Sequence, residues 1–287
     1  GLNNEVYAVA VIGTNIYVGG QHTTAGTTAS PYIVRGDLNG SYRRASPRAL
    51  LEGPFDTSAG LMRDDLRSLG LIPAAEPYTA LGFTQFADGG GETVAPAVLA
   101  VTGNDAIVDW VRVELRSSAN SATVVATRQA LLQRDGDIVA TDGTSPLQLD
   151  VAPGNYFLAV RHRNHNGVMT SNAVSLTGTT TAVDFVGTTL STFGTNAQKT
   201  IGAVRALWTG NSTGNSSITY TGSGNDRDPI LISVGSTTPN NTVNGYFITD
   251  TNLNGQVKYT GSGNDRDPIL VNVGSTTPNN TKVEQLP

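Results

Sequence analysis

Cysteine is absent from the 287 residues, and lysine occurs only three times, at Lys199, Lys258 and Lys282. Without cysteine there is no disulfide framework and no thiolate metal site. With so few lysines, no basic run and a formal net charge of −5, the chain lacks the cationic footprint by which proteins bind nucleic acid. Charged residues make up 14% of the chain against a usual value near ~25%, so Thr, Ser, Asn and Gly carry the surface. No run approaches the roughly 18 apolar residues that a membrane-spanning helix needs. Catalytic motifs are equally scarce: there is no GxSxG elbow, no HExxH and no phosphate-binding glycine loop, and the chain is read as non-catalytic. Of the three histidines, His22 stands alone. His162 and His165 lie three apart at a strand end, which predicts opposite faces and exposed polar positions.

What the chain has instead is a tandem duplication. YTGSGNDRDPIL begins at Tyr220 and again at Tyr259, an offset of 39 residues (259 − 220), and each copy runs into VGSTTPNNT. Ahead of the second copy stand Asp250, Asn252, Asn254 and Gly255, oxygen-bearing side chains at alternate positions followed by a glycine. Calcium loops are written this way, with ligands at positions 1, 3 and 5, glycine at 6 and a backbone carbonyl at 7, here Gln256. The later acid falls at Asp265 or Asp267, beyond an inserted turn. The first copy offers Asn211, Thr213, Asn215, Asp226 and Asp228, with no leading carboxylate, which makes it the weaker calcium site. A competing reading makes both segments Asx-rich turns that satisfy their own backbone. Asp228-Pro229 and Asp267-Pro268 read as helix starts with the aspartate as N-cap, and Gly274 as the stop of a two-turn helix.

The predicted architecture is mainly β. Residues 1–28 hold a β-hairpin around Gly13-Thr14-Asn15, resembling one hairpin of a kelch-like propeller blade and able to act as a donor strand. Residues 29–94 form a mixed β segment with one short helix, in which Leu61, Leu66 and Leu69 share a face and Gly70 ends it. Within it, Arg35-Gly36-Asp37 is read as a strand entering a turn at 37–40. Residues 95–190 hold short strands at regular spacing between Asn-Asp, Asp-Gly and Pro-Gly turns, the pattern of an antiparallel β-sandwich. Residues 200–287 are the tandem repeats with their calcium-loop-like turns and short helices. Trp110, Trp208, Tyr220 and Tyr259 are expected as core anchors.

The segment at 149–160, LDVAPGNYFLAV, resembles the strand signature of Ig-like, collagen-adhesin-type sandwiches. Some of those lock themselves with a Lys–Asn isopeptide bond, which this segment cannot form because no lysine precedes residue 199. IVDWVRVELR, ALLQRDGDIVATDG, YFLAVRHRNHNGVMT and the paired YTGSGNDRDPIL with EQLP resemble the C-terminal module of large secreted Bacteroidota surface proteins, haemagglutinin-like or kelch-containing, carried by the type IX secretion route. The repeats resemble dockerins. That resemblance implies an extracellular or cell-surface protein and names no activity.

Abundant Thr and Asn and the start at Gly1 fit an exported product freed of its targeting segment. Asn211, Asn215, Asn240 and Asn279 match the N-glycan acceptor pattern. The expected role is a structural subunit of a surface filament or coat, assembled with copies of itself by strand addition. The alternatives are a calcium-dependent adhesin that binds glycans, and a non-catalytic secretion or attachment module.

Overall fold

The computed structural model describes residues 2–12, 15–25, 28–29, 32–37, 42–87 and 89–287, divided into two units, Gly1–Tyr42 and Arg43–Pro287. The chain is mainly β, with several antiparallel sheets.

In the first unit, β1 (Val6–Ile12) and β2 (Asn15–Gly20) pair antiparallel with Ile12 opposite Asn15; the expected turn residues Gly13 and Thr14 lie outside the described residues. Two short strands, β3 (Thr24–Ala25) and β4 (Thr28–Ala29), pair with each other. The fifth, β5 (Ile33–Asp37), pairs with β2, so the sheet order is β1-β2-β5 and β1 is an edge. Arg35-Gly36-Asp37 falls within β5, and the rest of its expected turn, 38–40, lies outside the described residues. Gly20 is required where the strands close: a Cβ there would lie 2.0 Å from the Glu5 carbonyl oxygen. His22 is buried, with neither ring nitrogen partnered among the described residues.

The second unit opens with all but the first residue of β6 (Tyr42–Arg48), then a two-residue pair, β7 (Phe55–Asp56) and β8 (Leu61–Met62). The expected leucine-faced helix is a single turn, α1 (Asp65–Ser68), closed by Gly70 at φ +67°. Only Leu66 of the three leucines is buried; Leu61 belongs to β8 and Leu69 is exposed. After α2 (Pro96–Leu99) come β9 (Ile107–Ser117) and β10 (Asn120–Gln133), a long antiparallel pair. Then follow β11 (Ile138–Val139), β12 (Leu147–Asp150), β13 (Gly154–Arg161), β14 (Val168–Met169), β15 (Val174–Leu176) and β16 (Thr181–Asp184).

One sheet has the order β11-β10-β9-β13-β14, with β15 also on β13, and a second has the order β12-β6-β16. Val111, Val113, Leu115, Leu131 and Val160 from the first share a core with Ala45, Leu147, Leu149 and Val183 from the second. Met62, Leu66, Tyr78 and Val94 join the same core, so the chain on both sides of residue 94 packs as one body. Alternation along β9 puts Arg112, Glu114 and Arg116 on the other face, where both arginines donate to the buried Glu114 carboxylate. Residues 71–87 and 89–92 lie on that face: the Trp110 indole donates to the Pro73 carbonyl, and Phe83 lies under the guanidinium groups of Arg112 and Arg161. Removing either partner there would strand a buried charge.

The C-terminal part adds β17 (Gln198–Ile201), β18 (Val204–Leu207), β19 (Ser217–Thr219), α3 (Arg227–Ser233), β20 (Thr242–Asn244), β21 (Gln256–Lys258), α4 (Arg266–Val273) and β22 (Thr281–Val283). The two copies exchange partners. Strand β19 of the first pairs with β22 at the tail of the second, while β21 of the second pairs with β20 at the tail of the first. Helix α3 packs on β21 and α4 on β19, around Ile218, Ile230, Val234, Val257, Ile269 and Val273. Thr221 donates to Asn279 and Thr260 to Asn240, the same exchange repeated in side chains. Each fully buried aliphatic contributes about 1.5–3 kcal/mol, and the cluster is drawn from both copies.

Helix entry differs from the expected Asp-Pro cap. Asn225 and Asn264 supply the capping oxygens, accepting the N–H groups of Asp228 and Asp267 at 3.0 and 2.8 Å. Those aspartates sit in the first turn and pair outward with Arg227 and Arg266, where an acid favours the positive helix end. Gly274, at φ +114°, ends α4 as expected.

Candidate functional site

In the second copy the alternating acids and amides fold into one turn. Asp250 accepts the N–H groups of Asn254 and Gly255 at 3.1 and 2.8 Å; Asn252 accepts from Asn254 and Asn254 from Gln256. Asp265, from the start of α4, reaches back to accept the N–H groups of Thr251 and Lys258, both at 2.8 Å. Burial, opposed by Arg163, raises the Asp250 carboxyl to about 6; burial and then the Asp250 charge raise Asp265 to about 7. A charge on Asp250 thus disfavours a charge on Asp265. Asp267 stands outside, exposed and paired with Arg266.

The first copy repeats this scaffold with one carboxylate. Asp226 accepts from the Thr213 and Thr219 N–H groups at 3.0 and 2.7 Å, and burial raises its carboxyl. Asn211 turns its amide N–H groups toward Asn166 and the Asn215 carbonyl, Asn215 caps Ser217, and Asp228 pairs with Arg227.

A hard divalent cation needs six to eight oxygens. Asp250, Asn252, Asn254, Asp265 and the Gln256 carbonyl supply oxygen donors only, and the side-chain oxygens among them accept backbone N–H groups of the same turn. By donor chemistry alone, the second copy would suit a hard cation. The first copy, with a single acid and an amide N–H where the leading ligand belongs, would not. Among the described residues, no group of three or more His, Asp or Glu is placed to hold a metal ion, so amide and backbone oxygens would have to complete the shell.

Of the glycan acceptors, Asn215, Asn240 and Asn279 are exposed. Asn211 is only 4% exposed with its amide bonded inward, so the folded chain offers no room for a sugar there.

The second copy docks on the large sheet through a network that the sequence reading missed. Strand β13 ends at Arg161, and the following turn carries His162, Arg163, Asn164 and His165 inward, all buried. The expectation of opposite faces and exposed histidines is thereby overturned: a turn, unlike a strand, lets residues three apart meet, and the two rings stand edge to face with centroids 4.9 Å apart. Asp109 of β9 accepts from the Arg163 Nε at 3.0 Å and from the Tyr246 hydroxyl at 2.6 Å, and its Oδ2 lies 3.1 Å from His162 Nε2. Burial alone would raise the Asp109 carboxyl, but Arg163, His162 and Tyr246 outweigh it and hold it at about 2.

Asn164 Nδ2 donates to the carbonyls of Ile248 and Asp250, and Arg163 lies 4.1 Å over the Tyr246 ring. Comparison with protein-family models, curated proteins and solved structures finds no match to this chain. The bonding pattern assigns the tautomers: His162 donates from Nε2 to Asp109, and His165 accepts the Gly53 N–H on Nε2 at 3.2 Å and donates from Nδ1. Gly53 admits no side chain, since a Cβ would lie 2.2 Å from the Thr251 carbonyl oxygen.

The network therefore positions the acidic turn and leaves no ring nitrogen open to a substrate. A separate cavity of about 440 Å³ lies between α2 and β11; Ala97, Val98, Val101, Asp105 and Asp142 are among its walls, and no aromatic ring lines it for a sugar to stack on.

Trp110 is a core anchor as expected; Trp208, Tyr220 and Tyr259 are only partly buried, and cationic side chains lie over all three rings.

Proposed function

We propose that this chain is an extracellular structural subunit of a bacterial surface filament or coat, joined to neighbouring copies by strand addition. The observation that carries this reading is β1. It is an edge strand of seven residues, VYAVAVI, all of them exposed, with Val9 at 58% and Ile12 at 68%. It has no charge and no proline, and among the described residues no strand pairs with its outer edge; charge, proline or a covering element are the devices by which edges are normally blunted. Such a strand offers main-chain donors and acceptors to another sheet edge, and a head-to-tail contact of this kind propagates into a fibre.

The rest of the chain suits a rigid non-catalytic spacer. Its two sheets are read as the layers of a collagen-adhesin-like sandwich, antiparallel except where β16 runs parallel to β6, and the repeats as a dockerin-like pair whose second copy takes calcium for stability. The acidic pair Asp250 and Asp265 supports that second element.

Val9→Lys together with Val11→Lys tests assembly. These exposed changes should leave the melting temperature within about a degree while abolishing filaments under electron microscopy. Filaments unchanged by the two lysines, or a wild-type chain that stays monomeric at high concentration, would overturn the reading.

A further inference from the structure

The two copies differ at the seventh residue of the conserved helix: Ser233 in the first is Asn272 in the second. Asn272 is 5% exposed, and its surroundings are unlike those of a simple cap. Lys199 Nζ, from β17, donates to Asn272 Oδ1 at 2.8 Å, the oxygen bonded to the amide carbon Cγ. The same Lys199 Nζ donates to Glu52 Oε1, and Asn272 Nδ2 donates to Glu52 Oε2 at 2.7 Å. One carboxylate therefore bridges an amine and the nitrogen of a neighbouring amide. The Glu52 side chain is 12% exposed, held by the Thr209 N–H at 3.0 Å, and the Trp208 ring lies 5.5 Å from Nζ.

We propose that Lys199 and Asn272 join spontaneously in an intramolecular isopeptide bond, with Glu52 as the proton carrier. Glu52 takes a proton from the Lys199 ammonium, and the freed lone pair attacks Asn272 Cγ. Glu52 passes that proton to Nδ2 and accepts the second from Nζ as the Cγ–Nδ2 bond breaks. The departing ammonia leaves with the remaining proton as ammonium, so charge and atoms balance without oxidant or cofactor. Holding amine and amide in contact makes the step intramolecular, the condition under which effective molarities of roughly 10⁵ M or more are reached. The product ties β17 to α4 and fastens the second copy to the body of the unit.

Intact mass spectrometry of the full chain after incubation at neutral pH tests this. Wild type should be lighter than its sequence by one molecule of ammonia, and digestion should yield a branched peptide joining the Lys199 and Asn272 segments. Glu52→Gln and Lys199→Arg should both keep the full sequence mass. A wild-type chain at full mass with no branched peptide overturns the proposal. So does a Lys199→Arg chain equally light, since the ammonia would then come from succinimide formation at another asparagine.

Discussion

The Nδ1 atoms of His162 and His165 lie 3.1 Å apart, so one must carry the hydrogen and the other the lone pair. A second proton on either ring would set two donors face to face, and the joint between β13 and the second repeat is built for two neutral rings.

Its pH dependence follows. Burial lowers both histidines from the ordinary 6.5, His165 further than His162 because His162 and Arg163 add to the effect. The unfolded chain therefore binds more protons below that value. The histidine contribution is complete above pH 6.5 and is lost as the pH falls toward the depressed folded values. Asp109 and Arg163 are the charged groups that act on the pair, and Asp250 with Asp265 titrates in the opposite sense. Comparing wild type with His165→Gln in calcium-free buffer cancels those acids. The variant should lose less on acidification, with the difference in melting temperature narrowing by about 2–4 °C per kcal/mol. Parallel melting curves at every pH would refute the neutral-ring joint.

Gly53→Ala should destabilise by about 1–3 kcal/mol or more, because its methyl group meets the Thr251 carbonyl at 2.2 Å. The denaturant midpoint reads this directly. An unchanged midpoint would mean that the second repeat shifts freely on the sheet.

Tyr246→Phe keeps the ring beneath Arg163 and removes only the 2.6 Å hydrogen bond to Asp109. A bond to a charged group is worth about 1.5–3 kcal/mol, so the urea midpoint should fall by that amount with the slope unchanged. A loss below about 0.5 kcal/mol would show that the hydroxyl is redundant.

Calcium should raise the melting temperature most above pH 7. There Asp250 and Asp265, raised to about 6 and 7, are both ionised and repel. Their unfavourable contribution grows as the pH rises from the unfolded 3.8 to these values, and a cation reverses it. At calcium concentrations ~100-fold above Kd the gain is about 2.7 kcal/mol, fading at lower pH as protons replace the cation. Identical melting curves in calcium and in EGTA would leave only the self-capped turns.

Some of this was plain in the sequence. Val6–Ile12 and Asn15–Gly20 pair as their alternation requires, and Gly274 stops α4 where a left-handed residue was needed. Local rules suffice for such features. They failed where packing decides: Asp109 and Tyr246, 137 residues apart, meet only through the fold, and His162 and His165 turn inward because Asp109 and Gly53 wait for them. Asn264 rather than Asp267 caps α4 because the inserted glycine-rich turn brings it within reach. The substitution of Asn272 for Ser233 was visible as a single letter, but its partners Lys199 and Glu52 come from distant segments.

The exchanged strands β19–β22 and β20–β21 make neither copy a folding unit. A half containing one copy has its apolar helix face and its strand edge unmatched, and could bury them only against a second molecule, at a concentration-dependent cost. Tandem duplication turns that encounter into a tethered one, with an effective concentration set by a linker of a few residues. A proteolytic nick between β20 and β21 should therefore leave the fragments associated, whereas truncation before β20 removes the partner of both copies and unravels the pair.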